Sequence, residues 1–319
     1  MPTARPCLKS SLSRTTVAAR FQRRWRLRQR QWRQFEARCQ KPGHRTHGSW
    51  MARRIARPVG LYLTACLIPL GVTAHQMTCV ALVCGWSSAF AFAVGGESGW
   101  LWGAALLQLW YLLDHVDGQL ARYHQTSSLD GVAFDYWMHH LVNFALPLGI
   151  GYGLFQQWPS PLWLLAGVTW SGGLLAIGFL EDVRYKAFLL RLKRIEGKLL
   201  VQGGGNRHRL RPAMQPATWV GRGKWLGRKL CETHIMMNVL TVIAGWWWLT
   251  KDFGKGGLGA MSYVAFMATW TPLVAGYLMR RSLQQCKVET EFAAWYQPFE
   301  SNKKHFLNAH IARHEETCR

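Results

Sequence analysis

Carboxylates are scarce in this chain. Only 16 Asp and Glu stand against 39 Lys and Arg among 319 residues, which leaves a formal net charge of +23 and a sequence pI near 10.3. Such an excess, paired with 49% hydrophobic residues, is at odds with a soluble domain. It fits a membrane protein whose positive charge is gathered in one set of loops. Cysteine offers little either. The eight Cys, at positions 7, 39, 66, 79, 84, 231, 286 and 318, form no C-x-x-C pair and no Cys/His metal spacing, so neither a disulfide framework nor a zinc site is indicated. No G-x-x-x-x-G-K-[ST] frame exists, and Gly203-Gly204-Gly205-Asn206 reads as a flexible break, not a phosphate loop. The basic N-terminus is not followed directly by an apolar h-region, which excludes a secretory signal.

Residues 1–57 carry sixteen Lys and Arg against the single acid Glu36. Phe21, Trp25, Trp32 and Phe35 are interspersed in the Arg-rich part, as in a basic helix lying on anionic lipid. A disordered tail and nucleic-acid binding are the alternatives, and lipid contact or disorder is preferred over nucleic acid. A start at Met51 would remove the segment altogether. From Arg53 to Val72 the chain is apolar but short and broken by Pro58, Pro69 and Gly71, so it is expected to be a juxtamembrane helix in the interface.

Six spans are expected beyond it, each near the roughly 20 residues a bilayer requires. They run over about 76–94, 99–122, 132–155, 162–180, 233–250 and 260–279. The segment from Val183 to Leu230 holds thirteen Lys and Arg and one acid, Glu196, whereas the loops Gly95–Ser98 and Gln156–Ser160 have no basic residue. The basic side is therefore expected to be cytoplasmic, with both termini. Trp110, Trp158, Trp163 and the run Trp246-Trp247-Trp248 suit interfacial anchoring and helix packing.

Against this background, three carboxylates at the edges of apolar segments stand out, because charge beside a membrane core is costly. Asp114 and Asp117, with Ala121, fall at i, i+3 and i+7 on one helix face. Gly131, Asp135 and His139 fall at i, i+4 and i+8 on another. The polar connection Tyr123–Asp130 is short enough to make the two helices antiparallel neighbours. Three converging carboxylates can hold Mg²⁺ or Mn²⁺, which clamp diphosphates. Gly118, Ala121 and Gly131 leave room for a flat ligand, and Arg122 supplies a permanent charge for a phosphate.

The pattern D-x-x-D-G-x-x-A-R-x8-G-x-x-x-D-x-x-x, from Asp114 onward, resembles the signature of the CDP-alcohol phosphotransferase (CDP-alcohol phosphatidyltransferase) family. Seven fixed positions at roughly 5–8% usage each coincide by chance about once in 10⁸ starts or more. The resemblance implies an all-α integral membrane enzyme of six transmembrane helices, preceded by the interfacial helix. It would move a substituted phosphate from a CDP-linked donor to an alcohol and release CMP. It implies that Asp114, Asp117 and Asp135 are metal ligands, that Gly118, Ala121 and Gly131 shape the cytidine site, and that Arg122 steadies the donor phosphates. Family members often form homodimers, although nothing in this chain establishes one.

Two departures from the family pattern matter. His139 replaces the fourth motif Asp, usually assigned as the general base. His is a competent base near neutral pH and a poor ligand for Mg²⁺. His139 is thus expected to remain the base, with one metal held less tightly or Mn²⁺ preferred; a lapsed active site is the alternative. In Thr73-Ala74-His75-Gln76-Met77-Thr78, a weakened form of the family's Pro-Asn-x-x-Thr, Ala74 and His75 replace Pro and Asn.

The expected organisation is a basic tail over 1–52, a membrane domain over 53–281 and a cytoplasmic amphipathic tail over 282–319. The expected location is the cell (inner) membrane, with the active site cytoplasmic. The preferred donor is a CDP-diacylglycerol-like lipid and the preferred acceptor an alcohol. The rival is transfer of a CDP-linked choline or ethanolamine head group to diacylglycerol, and the third reading is a non-catalytic protein that binds nucleotide or anionic lipid. Three further features are left open. Glu181 and Asp182 either orient site groups or pair with Arg184 and Lys186. Lys193, Arg194, Arg207, Arg209 and Arg211 form a pocket for an anionic acceptor or lipid phosphate, or express only the loop-charge bias. His234 and Asn238, which share a helix face, contact substrate or make interhelical hydrogen bonds.

Overall fold

The computed structural model describes residues 26, 28–193, 199–201, 218–251 and 253–298. These residues are almost entirely helical. They divide into two compact units, one holding the described residues up to Ala74 together with His115–Ser127, the other His75–Asp114 and the described residues from Ser128 onward.

In the first unit, α1 (residues 28–39) leads through a turn to a π-helical turn, Ala52–Ala56, and to α2 (Arg57–Leu67). Pro58 sits in the first turn of α2, where its missing N–H costs nothing. A 3₁₀ turn, Ile68–Leu70, ends on Gly71 at φ 68°, a left-handed cap that glycine adopts without strain. A short helix with breaks at these positions is what Pro58, Pro69 and Gly71 lead one to expect. The end of α4 (Gly96–Tyr123) packs on it, close enough that a Cβ at Gly60 would lie 3.3 Å from Val116. Buried Gln119 ties the two together, accepting from Thr64 Oγ1 at 2.8 Å and donating to the Arg57 carbonyl at 3.1 Å.

Residues 28–48 are fastened to the same frame largely through their backbone. Arg57 donates to the carbonyls of His44 and, at 2.7 Å, of His47, and Arg122 Nε donates to the Cys39 carbonyl at 2.6 Å. Trp32 stacks on Tyr62 and Phe35 meets the edge of Tyr123. Burial pushes the Cys39 thiol up to about 11, so it holds its proton through the alkaline range in which ordinary thiols ionise. Cys66 is exposed and free. Alkylation at pH 8.5, followed by peptide mass spectrometry, is expected to label Cys66 about a hundredfold faster than Cys39 in the folded protein. Equal rates would mean that residues 28–48 are not fastened to this frame and leave Cys39 exposed.

The second unit contains α3 (Ala74–Val94), α4 up to Asp114, α5 (Leu129–Gln157), α6 (Pro161–Leu192), α7 (Trp219–Lys229), α8 (Thr233–Thr250), α9 (Phe253–Gln284) and α10 (Lys287–Trp295). The purely helical expectation misses one small ribbon, Leu199–Val201 paired antiparallel with Tyr296–Pro298. Small residues bring the helices together as membrane helices require, since apolar burial alone gives no preference for protein over lipid. Gly149 lies against the Ala89 carbonyl, and Gly151 faces Gly167. Ser171 donates to the Phe144 carbonyl and Thr271 to that of Trp170, linking α6 to α5 and α9. Trp100, Trp110, Trp170 and Trp247 are fully buried. Trp110 and Trp247 therefore pack between helices and do not serve as interfacial anchors. Cys286 is disulfide-bonded, which its sequence spacing does not foretell.

Among the described residues, three helices are long and apolar enough to cross a membrane: Ala74–Val94, Pro161–Leu192 and Gly256–Gln284. The other three expected spans coincide with α4, α5 and α8 but fall short in apolarity. The first two carry the motif's charged residues, and α8 carries His234, Asn238 and three consecutive Trp.

Candidate functional site

The two motif helices are joined by a short turn. Helix α4 ends at Tyr123, and Gln125 takes a left-handed φ of 57°. Ser128 then caps α5, its hydroxyl accepting from the Gly131 N–H at 3.0 Å. A Cβ at Gly131 would stand 3.3 Å from that hydroxyl and 3.5 Å from the His75 ring, so the first turn of α5 leaves little space there for a side chain.

Within the second unit, Trp110 and Asp114 of α4 meet Met138, Asp135 and His139 of α5 in antiparallel order. Trp110 donates to the Met138 sulfur and sets its ring against the edge of His139, centroids 5.4 Å apart. His139 Nε2 lies 3.0 Å from Asp114 Oδ1 and 3.5 Å from Asp135 Oδ1. The side chains of Asp114, His139 and Asp135 are 13%, 35% and 45% exposed, so the cluster is shielded on one side and open on the other. One donor atom from each lies within 4.8 Å of the others. Two carboxylate oxygens and an imidazole nitrogen at that spacing fit a divalent ion, and the nitrogen favours Mn²⁺ over Mg²⁺.

Asp117, Gly118, Ala121 and Arg122 follow along α4 in the first unit. Asp117 is 7% exposed. The nearest atoms to a Cβ at Gly118 would be those of the Arg122 guanidinium, 3.1 Å away.

Other sequence candidates find partners outside this cluster. His140 points to α6, where Nε2 sits 2.8 Å from Asp182 Oδ2 and the ring stacks on Phe179. The 100° helical step does separate it from His139. Of the two readings left open for Glu181 and Asp182, local pairing with Arg184 is not what is seen among the described residues: Glu181 accepts from Arg228, and Arg184 donates to Glu291. Asn238 accepts from Gln108 Nε2 at 3.2 Å, an interhelical bond, and His234 lies 3.6 Å from Glu232. Arg194, Arg207, Arg209 and Arg211 lie outside the described residues. The residue that sequence reasoning undervalued is His75, read there only as a lost Asn. It approaches Gly131 and Phe134 at the start of α5.

Fold and site together define a helical membrane protein with a carboxylate–imidazole cluster on a helix pair. Residues 71–187 match the family model described as CDP-alcohol phosphatidyltransferase, and this stretch is a CDP-alcohol phosphatidyltransferase domain. That family comprises phosphotransferases that take a substituted phosphate from a CDP-alcohol in phospholipid synthesis, and its members generally depend on a divalent metal. No curated protein matches the chain.

Proposed function

We propose that the protein transfers a phosphatidyl-type group from a CDP-diacylglycerol-like lipid to an alcohol, releasing CMP, at the cytoplasmic face of the cell membrane. The observation that carries this reading is the cluster of Asp114, Asp135 and His139, set inside the matched domain on the motif's own spacing. Asp114, Asp117 and Asp135 would hold Mg²⁺ or Mn²⁺, with Asp117 assigned from the motif. Such an ion, when bound, neutralises charge on the donor diphosphate and on the departing CMP. Gly118, Ala121 and Gly131 admit the cytidine, and Arg122 binds a donor phosphate. His139 takes the acceptor's hydroxyl proton. The alcohol oxygen then bonds to the phosphorus carrying the lipid while the bond from that phosphorus to CMP breaks.

A second reading of His139 is favoured by one distance. Its Nε2 is 3.0 Å from Asp114 Oδ1, a position suited to a metal ligand as much as to a base.

The deciding assay is CMP release by purified protein in liposomes. One arm supplies CDP-diacylglycerol with pooled polar alcohols, the other CDP-choline or CDP-ethanolamine with diacylglycerol, each with Mg²⁺ or Mn²⁺. Release in the first arm alone supports the phosphatidyl transfer. Release in the second alone reverses which substrate carries the acyl chains. Silence in both leaves a non-catalytic protein that binds nucleotide or lipid.

A further inference from the structure

The cavity between α7 and α9 lies outside the catalytic cluster, and nothing above uses it. Its volume is about 710 Å³. Lys224 of α7, over the Tyr277 ring, and Arg281 of α9 line one end, and Trp270, Leu273 and Val274 of α9, with Gly227 and Arg228 of α7 beside Trp270, line the other. We propose that this cavity binds an anionic phospholipid, its phosphate between Lys224 and Arg281 and an acyl chain along Leu273 and Val274.

The two ends follow from where the helices run. Helix α9 is long and apolar enough to cross a membrane, and Arg281 lies in its last turn. A cavity that starts on the apolar body of such a helix and finishes at its terminal charge covers the level at which hydrocarbon gives way to head groups. Leu273 is 65% exposed, as suits a side chain facing lipid tails.

Helix α7 keeps the space open because its inner face is glycine. A Cβ at Gly227 would stand 2.6 Å from the Trp270 ring, whose Nε1 donates to the Gly227 carbonyl at 2.9 Å, and a Cβ at Gly223 would meet nothing within 4 Å. Trp270 thus packs flush against α7 at one point while the cavity stays open at the next turn.

Among the described residues, the charges are positioned but not all neutralised. Arg228 pairs with Glu181 at 2.7 Å, with both side chains about half exposed. Lys224 rests over the Tyr277 ring, and Arg281 Nε donates to Gln285. Glu181 offsets Arg228, near Trp270, and Lys224 and Arg281 remain to complement a phosphate diester. Loop-charge bias explains how many cations this face carries. It does not explain why they share a cavity with an apolar wall, and that wall selects a lipid over free phosphate.

The proposal rests on the membrane assignment and not on the transfer reaction. It is tested on the full chain in detergent by native mass spectrometry with added phosphatidylglycerol, phosphatidylcholine or inorganic phosphate. The wild type is expected to retain phosphatidylglycerol about tenfold better than phosphatidylcholine. The double variant Lys224→Gln/Arg281→Gln is expected to lose that preference. Leu273→Trp, which narrows the apolar end and leaves the cations intact, is expected to lower retention severalfold. Arg280→Gln, an exposed neighbour that does not line the cavity, is expected to behave as wild type. Unfolding temperature without lipid checks that each variant is folded, and the Leu273→Trp arm stands if the charge variant is not. Equal retention of the two lipids would overturn the proposal. So would displacement of phosphatidylglycerol by millimolar phosphate with Leu273→Trp silent, an outcome that assigns the cavity to a free phosphate.

Discussion

Asp114→Asn is expected to abolish CMP release, with a loss of about a thousandfold or more. Asn keeps the shape of the side chain and removes only its charge, so the helix pair survives and the chemistry does not. The effect should be large because Asp114 is the most shielded of the three clustered side chains at 13% exposure, and its Oδ1 is the nearer carboxylate contact of His139 Nε2. Without that charge, a site of few carboxylates loses much of its attraction for a divalent ion. Mn²⁺ binding, followed by electron paramagnetic resonance without any substrate, is expected to weaken in parallel. An Asp114→Asn protein that still released CMP at the wild-type rate would remove the cluster from the mechanism.

The second large effect concerns His139, where the two readings part. If Nε2 is a ligand, His139→Asp restores an all-oxygen site, keeps CMP release and shifts the preference from Mn²⁺ towards Mg²⁺ by about tenfold, because Mg²⁺ takes oxygen ligands and Mn²⁺ tolerates nitrogen. If His139 is only the base, the metal preference stays where it was. The rising limb of the pH–rate profile then moves to lower pH, because a carboxylate loses its proton well below an imidazole. His139→Ala removes both functions and is expected to lower CMP release by about a hundredfold or more. Wild-type activity in His139→Ala would defeat both readings.

Much of the helical layout was legible because apolar runs end where loops begin. Helix α3 ends at Val94, and α8 covers Thr233–Thr250, as the hydrophobic pattern implies. Helices α6 and α9 run beyond their apolar portions, to Leu192 and Gln284, as charged residues replace apolar ones without any helix-breaking residue. Helix α7 escaped notice because three glycines in eleven residues hide its period, although Thr218 caps it by accepting from the Gly221 N–H. In the site, the motif spacing brought Asp114, Asp135 and His139 to mind together. It did not reveal that His140 would find Asp182, 42 residues away, because that pairing depends on how α5 packs on α6. The attachment of residues 28–48 was equally hidden, since it runs through the carbonyls of Cys39, His44 and His47, and a carbonyl leaves no mark on the residue pattern.

His75 lies in the first turn of α3, a helix apolar enough to cross the bilayer, and its ring neighbours Gly131 and Phe134. Asp135 and His139 follow Phe134 along α5 within one and a half turns, or about 7 Å. The clustered side chains therefore belong near the water boundary of the membrane and not at its midplane. In the proposed reaction, a lipid donor would present its head group there without lifting its acyl chains out of the hydrocarbon. The quantity that would then govern turnover is the donor's mole fraction in the plane of the membrane, and inert lipid added at constant bulk donor is expected to dilute the reaction.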